Sequence, residues 1–158
     1  MDGVGLLGNG HLGGDAEVCA CGGDVGDSPR MHHFWACPIA QAVVGALSEV
    51  GGVAVSRDAL WLAVCPGGLQ QGVWDVVCLA ALTAIERGRR YARTRVRAHG
   101  PAATLVQRAC ACAVADLWGR LSGFVSLQRV PKRGWASVPP EHPFVGLIDG
   151  RRLVLNQP

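Results

Sequence analysis

Three cysteines and a pair of histidines crowd into one short window, and together they have the makings of a metal site. They are Cys19 and Cys21, then His32 and His33, then Cys37, which Pro38 follows directly. The general form is C-x-C-x10-H-x4-C if His32 ligates, or C-x-C-x11-H-x3-C if His33 does. Three thiolates and one imidazole are a common tetrahedral set for a structural zinc ion. Gly22-Gly23, directly after Cys21, lets the backbone turn tightly past a metal. Phe34 and Trp35 stand between the histidines and Cys37, where they can cap such a site with apolar area. The expected cofactor is zinc, held by Cys19, Cys21, Cys37 and one imidazole, that of His32 or His33.

No second cluster of this kind stands out. Cys110 and Cys112 repeat the C-x-C spelling, but on a helix two positions turn through roughly 200° and point the thiols apart. They read as small packing residues, as do Cys65 and Cys78. The glycine-rich stretches match neither phosphate-loop pattern, and no nucleophile, base and orienting group gather in one place. The chain is therefore expected not to be an enzyme. Seven cysteines without a secretory signal favour a reducing compartment, so an intracellular location is the expectation.

Charge is divided along the chain. Residues 1 to 60 hold seven acids against Arg30 and Arg57, a net of −5, whereas residues 87 to 158 net +10. Six arginines fall between Arg87 and Arg97, with Tyr91 among them. On a helix Arg89, Arg93 and Arg97 share one face and Arg90 lies beside it, a stripe suited to phosphates. The plainer reading is a solvated helix end whose cations complement the dipole.

Helices must position these groups. Pro38 opens one in which Ile39, Val43, Val44 and Leu47 recur at helical spacing until Gly51-Gly52. Ser56 caps a short helix to about residue 64. A long helix over 69 to 98 places Trp74, Val77, Cys78, Ala81, Leu82 and Ile85 on one apolar face. Another over 102 to 127 buries Leu105, Val106, Ala109, Ala113, Leu117 and Leu121. Prolines dominate the tail, where Asp149-Gly150 between two apolar runs signals a hairpin. The fold class is mainly α: a small helical domain with an N-terminal zinc knuckle and a short C-terminal β-hairpin. Its expected divisions are a flexible leader over 1 to 18, the knuckle and its following helix over 19 to 50, a helical domain with a basic helix over 51 to 130, and a Pro-rich tail over 131 to 158.

The run MHHFWACPIAQAVV resembles the zinc-binding region that follows the polymerase domain in non-LTR retrotransposon reverse transcriptases. The family pattern falls on Cys19 and Cys21, His32, Phe34 and Trp35, Cys37 and Pro38, and Ala40. Its His-x4-Cys spacing favours His32, while the single residue between Cys19 and Cys21 departs from the usual two. The tail from Trp135 to Leu155 resembles, more weakly, the ends of such elements in algal-type genomes. The resemblance implies an accessory piece of a larger polyprotein, without the polymerase, that contacts RNA or DNA. Arg89, Arg90, Arg93, Arg97 and Trp35 are the candidate nucleic-acid contacts, and the polymerase part is a candidate partner. No apolar run is long enough for a membrane partner. A zinc-held protein-interaction module, anchored by Trp61, Trp74 and Trp118, is the alternative.

Overall fold

A computed structural model of the chain describes residues 18–52, 54–67 and 71–123, and the backbone of 124–126, 145–148 and 152–155. The protein is mainly helical. A single turn, α1 (Pro29–Met31), runs into a π-helical turn over His32–Ala36. Then come α2 (Pro38–Gly51), α3 (Arg57–Trp61), α4 (Gln71–His99) and α5 (Ala103–Ser126). Two short strands, β1 (Val145–Ile148) and β2 (Arg152–Leu155), pair antiparallel with Val145 opposite Leu155. The leader before Val18, the prolines of 131 to 144 and Asp149-Gly150 lie outside the described residues.

Local signals account for where the helices start and stop. Pro38 occupies the first turn of α2, where its missing N–H costs nothing, and Gly52 ends the helix in the left-handed conformation. Ser56 caps α3, its Oγ accepting from the Ala59 N–H at 3.1 Å. A three-residue break at 100–102, with Gly100 at φ +77°, folds α5 back along α4.

The core is the junction of α2, α4 and α5. Ile39, Val43 and Leu47 from α2 are buried with Val73, Trp74, Val77, Ala81 and Ile85 from α4. From α5 the stripe Ala109, Ala113, Leu117 and Leu121 closes it, while Leu105 and Val106 are only half-buried near the helix start. At the closest crossing sits Gly88, where an added Cβ would stand 2.8 Å from Ala113 Cβ, 2.8 Å from Ile39 Cγ2 and 3.2 Å from the Ala109 carbonyl oxygen. Trp74 ties α3 to this core by donating its Nε1 proton to the Ala59 carbonyl at 2.8 Å. No single helix among the described residues is long and apolar enough to cross a membrane.

Candidate metal centre

Two backbone devices bring the ligands together. The first is a tight turn over 19–23. Val18 pairs with Asp24 as an isolated antiparallel bridge, the Cys19 N–H donates to the Gly23 carbonyl at 3.1 Å, and Gly22 takes φ +83°. A left-handed residue is needed there, and glycine adopts it without strain. Within the turn the Gly23 N–H donates to Cys21 Sγ at 3.4 Å, a contact that favours negative charge on that sulfur.

The second device is the π-helical turn. The Cys37 N–H reaches back five residues to the His32 carbonyl at 2.7 Å. In an ordinary α-helix, positions five apart are about 140° round from each other. The widened turn brings His32 and Cys37 onto one side, and such turns concentrate at functional sites.

The result is a cluster of Cys19, Cys21, His32 and Cys37 whose ligand atoms all lie within 4.8 Å of one another. Cys21 Sγ is 3.3 Å from His32 Nε2. A tetrahedral ion with metal–sulfur bonds of about 2.3 Å and metal–nitrogen bonds of about 2.0 Å holds its ligand atoms roughly 3.5 to 3.8 Å apart, so this donor set fits one with little movement. Cys19 and Cys37 are buried, and Cys21 and His32 are half-buried. The Cys37 thiol donates to Cys19, which holds Cys19 well below the ordinary thiol range. The same bond, with burial, pushes Cys37 up, and burial also raises Cys21. Cys19 is thus the most acidic of the three thiols, and Cys21 and Cys37 the less acidic two.

Of the two histidines, it is His32 that completes the set. The His33 ring stands nearly perpendicular to it at 5.7 Å and faces elsewhere, lining a groove of about 460 Å³. Val18, Ala20 and His33 line it together with Glu86, Arg89, Arg90, Arg93 and Arg97 of α4. Residues beside the Cys/His cluster and residues of the basic helix therefore line one space.

No known protein family, curated protein or solved structure matches the chain.

The arginines divide by role. Arg90 is 69% exposed and only loosely paired with Glu86 at 3.8 Å. Among the described residues no acid lies within ion-pair distance of Arg93 or Arg97, both exposed. Arg89 is different. Its side chain is 15% exposed, bonded to Glu86 at 2.9 Å, with its guanidinium 5.6 Å from the centroid of the Phe34 ring. Arg87 pairs with Asp116 at 3.2 Å. Trp35 is half-buried against the core, and its carbonyl accepts from Gln41 at 2.6 Å. Trp61 supports the same turn by donating to the Phe34 carbonyl at 3.3 Å. Cys110 is half-buried and Cys112 exposed, so these two thiols do diverge. The inward turn of Arg89 and the groove were not visible in the sequence; the one available signal was that Phe34 and an arginine-rich helix both needed partners.

Proposed function

We propose that the chain is a zinc-stabilised, non-catalytic module that contacts nucleic acid. The observation that carries this reading is the shared groove, lined both by residues of the Cys/His turns and by the exposed cations Arg90, Arg93 and Arg97. A closed set of three thiolates and an imidazole leaves no open position for substrate, which suits structural zinc rather than catalytic metal. Zinc would clamp the His32–Cys37 turn against the 19–23 turn as a small knuckle and fix the groove lining that these turns supply. Phosphates would then meet Arg90, Arg93 and Arg97, while Arg89, which also lines the groove, is held by Glu86 and Phe34, and Trp35 packs against the core. The resemblance to the region after a retrotransposon polymerase points the same way, with the polymerase part of a polyprotein as a further partner.

The test is a salt titration of binding by the zinc-loaded chain. Contacts to about three phosphates predict that log affinity falls with log salt at a slope near −2 to −3. No binding to RNA or DNA at low salt contradicts the reading. One observation favours a protein partner instead: Leu62 and Leu79 are 71% and 59% exposed. A zinc-dependent complex with a protein that is unaffected by Arg93→Ala would support that second reading.

A further inference from the structure

Resting on the nucleic-acid reading above, the shape of the groove narrows the kind of nucleic acid. Three properties matter. Its volume, about 460 Å³, lies in the range of about 300 to 1,000 Å³ that encloses small organic groups. Its basic lining spans eight residues of α4 from Arg90 to Arg97, seven rises of about 1.5 Å or about 10 Å in all, which is room for phosphates on both sides of a single nucleotide. Apolar side chains line the same space, Val18, which is 66% exposed, and Val96, beside the Glu86–Arg89 ion pair.

A duplex gives such a groove little to hold. Its phosphates are outermost and its bases are stacked within, so Val18 and Val96 would remain against water or sugar. An unpaired base has two faces to offer an apolar wall, and an imidazole such as His33 can stack on it. A flat cationic surface without the apolar wall would have no such preference.

We infer that the groove takes one unpaired nucleotide of a single strand. The base lies between Val18 and Val96 with His33 at its edge, and the flanking phosphates meet Arg93 and Arg97. Both RNA and DNA carry this chemistry, and the arms of the test separate them.

The experiment uses the full zinc-loaded chain and fluorescence anisotropy at fixed salt. The probes are a labelled single-stranded 12-mer as RNA, the same 12-mer as DNA, its duplex, and heparin as a polyanion without bases. Single strands are expected to bind about tenfold tighter than the duplex. Val96→Gln, which leaves charge unchanged, should weaken single-strand binding about fivefold and leave heparin binding alone. Arg93→Ala should weaken both. Circular dichroism and zinc content verify that each variant is folded. Duplex binding as tight as single-strand binding, or a Val96→Gln variant with an unchanged ratio, overturns the inference while the nucleic-acid reading stands. Failure of every nucleic-acid probe to bind overturns both.

Discussion

The guanidinium of Arg89 lies over the ring of Phe34, 5.6 Å from its centroid, and so joins the basic helix to the turn that carries two of the four metal-site residues. Phe34 sits between His32 and Cys37 in the π-helical turn. Whatever fixes those two residues also fixes the surface on which Arg89 rests. Arg89 in turn holds Glu86, the acid closest to Arg90. The Cys/His cluster and the exposed arginines are therefore neighbours in one packed unit.

This division of the arginines predicts opposite mutant behaviour. Arg89→Ala should destabilise the fold by about 1 to 3 kcal/mol, because it strips Phe34 of its cover and Glu86 of its closer cation. Arg93→Ala, at an exposed site, should change stability by less than about 0.5 kcal/mol and weaken nucleic-acid binding several-fold. Urea unfolding and anisotropy on the two variants check this; equal stability loss in both contradicts it.

Gly88→Ala tests the helix crossing. Alanine raises helix propensity by about 1 kcal/mol, but its Cβ would press on Ala113, Ile39 and the Ala109 carbonyl at 2.8 to 3.2 Å. Two of those contacts are to a helix backbone and to a Cβ, neither of which can swing aside. Overpacking of about 1 to 3 kcal/mol should outweigh the propensity, giving a lower urea midpoint with unchanged slope.

Gly23→Ala tests the support of the metal ligands. The new Cβ would meet His32 Cε1 at 2.9 Å and Cys21 Sγ at 3.3 Å. Displacing both ligands should lower zinc affinity by about ten- to a hundredfold, as loss of a ligand's support usually does, measured by competition with a chromogenic chelator. Gly26→Ala is a poor control, because its φ of +59° strains any side chain; Gly45→Ala, with open space around it, is the better one.

Much of this was legible in the sequence for a physical reason. Apolar spacing in α2, α4 and α5, and the Ser56 cap, are local properties that hold whatever surrounds them. The Cys19, Cys21 and Cys37 cluster could likewise be read, since cysteines so close together in a small fold have few places to go. The choice of His32 over His33 could not be settled from spacing by geometry alone, because a π-helical turn changes which residues share a side. The fate of Arg89 was also hidden. A helical wheel puts it with Arg93 and Arg97, but Phe34, arriving from 55 positions earlier, covers it.

Protonation of the cluster gives a further prediction. Cys19 is held below the ordinary thiol range by its bond to Cys37, that same bond with burial raises Cys37 above it, and burial raises Cys21. A metal needs all three sulfurs deprotonated. Binding should therefore release protons, and affinity should rise with pH as the raised thiols become easier to deprotonate. Calorimetry in buffers of different ionisation enthalpy counts the protons.

The account depends on one metal ion joining the 19–23 turn to the His32–Cys37 turn. Metal analysis of the purified chain, alongside Cys37→Ser and His33→Ala, tests this most directly. One zinc per chain is expected in the native protein and in His33→Ala, with loss in Cys37→Ser. A native chain without stoichiometric metal after reconstitution, or a His33→Ala variant that loses it while Cys37→Ser retains it, contradicts the account.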